Sequence, residues 1–216
     1  MKKTGFIILI NIILIAIWVA GKKTKSETKE YDINMTVASS VSSEMVEEVR
    51  KAFEVFPDFV VQSFSENDWK IVLLDEIMDD KSNGCVGTES SVVGLIDYTT
   101  KTVTICGVSG YEAAARDITI HELCHYVDRL GGSIHSSGMI SLYDKYKDGG
   151  YVTFSYAGIP LKEEYVPDIT YAISTRQEFF AETMKDYLLH REYLQKNYSD
   201  IYEYYRLLFQ KLESSM

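Results

Sequence analysis

Cysteine, proline and positive charge are all scarce in this chain. Its 216 residues include three prolines and three cysteines, and 22 Lys and Arg stand against 32 Asp and Glu, a formal net charge of −10. With 46% hydrophobic residues and so little proline, a disordered or fibrous protein is excluded. The acidic balance excludes a nucleic-acid partner, which needs a basic face, and no Lys/Arg stripe continues beyond Lys22–Lys29. Cys85, Cys106 and Cys124 are odd in number, so at most one internal disulfide forms and a disulfide-built scaffold is ruled out. No internal repeat is visible, and the length suits one domain.

What is present begins with a targeting pattern. Lys2 and Lys3 precede an apolar run from Gly5 to Ala20 that only Asn11 interrupts. The run is slightly longer than a typical signal core and shorter than the roughly 20 residues of a comfortable membrane span. Residues 1–21 are therefore expected to be an export signal cut after Gly21, with an uncleaved anchor in the outer face of the membrane as the alternative. No cysteine stands near the cut, so a lipoprotein anchor is excluded. Residues 22–36 read as a polar linker, and 37–216 as a single domain, expected to be secreted and monomeric.

Within that domain, apolar residues at Val46, Val49, Ala52, Phe53 and Phe56 predict a helix from Ser43, which Pro57 ends before a second short one. Trp69–Leu74 reads as a strand, and Ser91–Tyr98 with Lys101–Val108 as an antiparallel pair around Thr99-Thr100. Cys85 and Cys106 flank this hairpin and are one possible bridge. A capping box at Ser109–Glu112 opens a helix that runs to Leu130, where Gly131-Gly132 stops it. A helical stretch around Met139–Lys147 and a strand at Tyr151–Ala157 follow. A second capping box, Ser174–Gln177, opens another helix, and two amphipathic stretches near 191–197 and 199–212 complete the chain.

The long helix carries His121-Glu122-Leu123-Cys124-His125. At 100° per residue, the two histidines project about 40° apart and one turn up, so both imidazoles can reach one metal ion. Glu122 lies beside that face, placed to take a proton from the attacking water without being a ligand. Cys124 points away from the histidine face and reads as a small buried hydrophobe.

A catalytic zinc site of this kind needs a third protein ligand. An extended metzincin motif would place Gly at 128 and His at 131, where this chain has Asp128 and Gly131. His135 lies beyond the helix-ending glycines, and His190 is far down the chain. Glu178 is the better candidate. It and Glu182 share one helix face at i and i+4, and two such carboxylates repel unless something positive lies between or beside them. Asp128 and Glu182 are candidates to hold the far imidazole nitrogens.

HELCHYVD at 121–128 followed by EFFAE at 178–182 resembles the catalytic domain of anthrax lethal factor and the secreted Pro-Pro endopeptidases of related spore-forming bacteria. The likeness runs from about Ser43 to the C-terminus and is concentrated in these two segments. It implies Glu178 as the third zinc ligand. In the lethal-factor branch a tyrosine stands seven residues before that glutamate, which implies an oxyanion-stabilising role for Tyr171. The resemblance implies an α+β, zincin-like, two-lobed metallopeptidase with a small mixed sheet, an active-site helix and a mostly helical C-terminal lobe. The expected function is hydrolysis of an extended peptide or protein substrate with one Zn2+ ion. A catalytically idle, toxin-like binding module that keeps the fold is the alternative.

Overall fold

The computed structural model describes residues 32–74, 78–79, 91–92, 94–106, 112–154 and 171–215. The expected export segment, Cys85 and the first three residues of the Ser109–Glu112 capping box lie outside them. No helix among the described residues is long and apolar enough to cross a membrane.

The chain starts with β1 (Met35–Val37), α1 (Ser43–Phe53), α2 (Asp58–Glu66) and β2 (Lys70–Leu74). Ser42 caps α1 by accepting the Met45 N–H, and Met45, Val49, Ala52 and Phe53 form its buried face. Pro57, which has no N–H to leave unsatisfied, opens α2. Two-residue strands β3 (Met78–Asp79) and β4 (Ser91–Val92) pair antiparallel. Next come β5 (Gly94–Asp97) and β6 (Thr102–Cys106).

The main sheet has the order β1-β2-β6-β5. β2 is parallel to both β1 and β6, whereas β5 and β6 form the expected antiparallel pair. Their turn is held by Asp97 Oδ1, which accepts the N–H groups of Thr99 at 2.8 Å and Thr100 at 3.2 Å. Residues 32–36, expected to be linker, belong to the fold. Met35 pairs with Ile71, the Ile71 N–H donates to the Asn34 carbonyl, and Ile33 is buried. A three-residue edge strand is too short to stand out from a polar run as an alternating pattern.

Helix α3 (Glu112–Gly131) packs against α1, β5 and β6 on one side and the C-terminal helices on the other. All of His121 to Asp128 is buried, so every polar group in that stretch needs a partner. Gly132, at φ +58°, takes the left-handed conformation that ends the helix. A 3-10 turn (Ser133–His135), α4 (Ser137–Tyr146), α5 (Tyr171–Ser174), α6 (Arg176–Leu189), α7 (Arg191–Asn197) and α8 (Ser199–Glu213) follow. The result is the expected α+β architecture, mostly helical around a small mixed sheet.

Two local expectations are corrected. The α6 cap is Thr175, whose hydroxyl accepts the Glu178 N–H. The helix is therefore capped one residue later than Ser174 and by a single N-cap bond, with no reciprocal bond from Gln177 among the described residues. The expected strand at Tyr151–Ala157 is not one over its described part, Tyr151–Phe154. Its backbone bonds to side chains instead of a ladder. The Phe154 N–H donates to Asp186, the Val152 N–H to the Tyr198 hydroxyl, and the Val152 carbonyl accepts from Tyr193.

Candidate metal centre

α3 and α6 meet in opposing chain order. Asp117 faces Lys185, His121 faces Glu182, and His125 comes next to Glu178, so the two helices run antiparallel along a charged seam. His121 Nδ1 lies 2.8 Å from Glu182 Oε1. A carboxylate can only accept there, so Nδ1 carries a proton and Nε2 is the nitrogen whose lone pair a metal would take in place of its own proton. That Nε2 is 3.2 Å from His125 Nε2 and 3.0 Å from Glu178 Oε2, with 3.7 Å between His125 Nε2 and Glu178 Oε2.

These three atoms fit one cation. Ligands at about 2.0–2.1 Å around a tetrahedral ion stand about 3.3 Å from one another, and the observed edges bracket that value. Glu178 Oε2 is buried and takes no hydrogen bond of good geometry, leaving it available as a donor atom. Among the described residues, His121, His125 and Glu178 are the one group of metal-ligating side chains that converges in this way. His135 sits exposed in the 3-10 turn, and His190 closes α6 with its ring 3.9 Å from that of Phe154.

The electrostatics call for positive charge. Burial opposes a charge on His121, but Glu178 and Glu182 outweigh it and raise its pKa to about 10. Burial also works against Glu178, yet His121 and His125 hold it well below the usual carboxylate range. Glu182 is opposed by burial too, and Lys185 and His121 bring it down to about 2. Glu122 goes the other way, since burial raises its pKa against the pull of His121 and His125.

Glu122 lies against the edge strand. A Cβ added at Gly94 on β5 would fall 2.7 Å from Glu122 Oε1 and 2.6 Å from the Ile118 side chain. Only glycine lets the β5 backbone come this close to Glu122. Tyr171 opens α5, half exposed, with its ring 6.0 Å from that of His121. Burial and the Glu178 carboxylate keep its phenol strongly protonated. Asp128 closes the end of α3, with Oδ1 accepting the Ile134 N–H at 2.8 Å, while His125 acts on it through space. Cys124 is fully buried, and burial raises its thiol well above the ordinary range, as befits a core residue.

Two residues beside the site were not anticipated. Lys185 stands seven positions after Glu178, two helical turns along the same face, and that spacing was the available signal. Gly94 gave none, because a glycine in a strand has several uses.

No protein-family model matches the chain, and no curated protein does. Among solved structures, the Pro-Pro endopeptidase PPEP-2 from Paenibacillus alvei is similar at a TM-score of 0.57 and 19% identity, over 81% of this chain and 96% of that one. At such low identity the likeness is one of fold. The chain has the α+β fold of that Pro-Pro endopeptidase, with a candidate His-His-Glu metal site on its α3–α6 seam.

Proposed function

We propose that this protein is a zinc-dependent metalloendopeptidase of the glutamate-zincin type, acting on an extended peptide segment outside the cytoplasm. The observation that carries the reading is the convergence of His121 Nε2 and His125 Nε2, on the helix that also bears Glu122, with Glu178 Oε2 from α6, all within 4.8 Å of one another. A fold shared with a Pro-Pro endopeptidase supports the same reaction class.

When bound by these three ligands, zinc lowers the pKa of a water toward neutrality and polarises the scissile carbonyl. Glu122 accepts the proton of the attacking water and later delivers it to the leaving amine. Its raised pKa suits that exchange, since a weaker acid holds the proton between the two steps. Tyr171 donates its phenolic O–H to the oxyanion as it forms. Glu182 keeps His121 in the Nδ1–H tautomer. β5 stands at the edge of the main sheet, where an extended substrate adds as a further strand beside Glu122.

The test is cleavage of a peptide library by the purified chain, first stripped of metal by a chelator and then given zinc. Cleavage that appears only with zinc supports the reading. Bound zinc without cleavage of any member points instead to an idle binding module.

A further inference from the structure

Helix α6 sets a third charged group on the face that carries Glu178 and Glu182. The Lys185 residue is 4% exposed. Its Nζ lies 3.1 Å from Glu182 Oε1, 3.1 Å from Glu182 Oε2 and 3.0 Å from Asp117 Oδ2 on α3. Burying an ammonium this deeply is unfavourable unless well-placed counter-charges compensate it, and a surface-type pair would not need such depth. Its principal partner, Glu182, is the residue that binds His121 Nδ1.

We propose that Lys185 is a positioning residue of the metal centre. By contacting both oxygens of Glu182, it fixes that carboxylate as an acceptor aimed at His121 Nδ1. His121 then keeps its proton on Nδ1 and presents Nε2 toward His125 Nε2 and Glu178 Oε2. Asp117, on the α3 turn before His121, steadies the ammonium from the other side. The chain of contacts runs Asp117–Lys185–Glu182–His121 and ends on a ligand atom. Without Lys185 the Glu182 carboxylate can turn away, and the His121 ring loses both its tautomer and its orientation. This inference rests on the reading of His121, His125 and Glu178 as a metal site.

The experiment measures zinc affinity by competition with a chromophoric chelator for the parent, Lys185→Met, Lys185→Arg, Glu182→Gln and the double variant Lys185→Met/Glu182→Gln. Lys185→Met should bind zinc about 10–100-fold more weakly, as expected when a contact behind a ligand is lost. Lys185→Arg should restore most of the affinity. The double variant should bind no more weakly than Glu182→Gln alone, because Lys185 acts through Glu182. The double variant also leaves no buried carboxylate at 182, so it carries the test if Lys185→Met fails to fold. A folded Lys185→Met with parental affinity would reduce Lys185 to a structural tie between α3 and α6 and overturn the proposal. So would a double variant much weaker than Glu182→Gln. A parent that holds zinc in those cases leaves the metal site standing, whereas a parent that holds none defeats both readings.

Discussion

His121 Nδ1 and Glu182 Oε1 lie 2.8 Å apart although 61 residues separate them in the chain. This one contact decides which nitrogen of His121 is left for a metal. With Nδ1 engaged, Nε2 faces His125 Nε2 and Glu178 Oε2, and three donor atoms from two helices share one small volume. A site held by two rigid helices is preorganised, so its ligands need little rearrangement to bind an ion.

Glu178→Gln and Glu182→Gln should separate a ligand from its support. The first replaces an anionic donor by a neutral amide in a site with three protein ligands, and its zinc affinity should collapse. The second leaves an oxygen able to accept from His121 Nδ1, so the loss should be on the order of 10–100-fold. Chelator competition ranks the two, and equal losses would refute the division of roles.

Glu122→Ala should retain zinc and lose turnover by about 10²–10⁴-fold, because the proton acceptor is gone while the ligands remain. Tyr171→Phe should also retain zinc and slow the chemical step by about 10²–10³-fold through loss of one oxyanion donor. Metal analysis beside single-turnover kinetics checks both. Zinc lost from either variant would move that residue into the ligand set.

Gly94→Ala tests the close approach of β5 to the base. The added methyl would sit 2.7 Å from Glu122 Oε1, so the carboxylate or the strand must move. Misplacement of a reacting group by about 1 Å costs on the order of 10²-fold in rate. Turnover should drop by about that factor with zinc affinity unchanged. Parental kcat would show that Glu122 is not seated by this contact.

Asp186 should make stability depend on pH. It is fully buried, with Oδ2 accepting the Tyr151 hydroxyl at 2.5 Å and the Phe154 N–H at 2.9 Å. Burial, opposed by those two bonds, pushes its carboxyl up to about 6. The folded state therefore holds this proton more tightly than the unfolded chain, whose aspartates titrate near pH 3.9. The stabilising contribution is complete below about pH 4 and is lost as pH rises through about 6. Asp186→Asn does not titrate. Relative to the parent, it should gain on the order of 2–3 kcal/mol between pH 4 and pH 8, read from urea denaturation at each pH. A parent–variant difference that stays constant would contradict the assignment.

The parts of the fold that announce themselves in the sequence are those whose side chains repeat with a helix or strand period. The α1 face, the β5–β6 pair and the long α3 helix belong to this group, as does the His121–His125 pair, because two side chains that share one helix face must obey its spacing. Glu178, on another helix, is pointed to instead by the EFFAE resemblance. What stayed hidden depends on partners remote in the chain. β1 pairs with β2 through three residues amid polar neighbours. Tyr151–Phe154 looks like a strand until Asp186, Tyr193 and Tyr198 claim its backbone. A lysine after two glutamates reads as solvent-facing, and only the α3–α6 packing buries Lys185 between Glu182 and Asp117.

The most direct test of the metal centre is the zinc K-edge extended fine structure of the purified, zinc-loaded protein. A His-His-Glu site predicts one bound ion, four-coordinate, with only nitrogen and oxygen neighbours at about 2.0–2.2 Å, two of them showing imidazole scattering. A sulfur shell near 2.3 Å would instead bring a cysteine into the site, and a single imidazole would remove His121 or His125 from it. Either result would contradict the account.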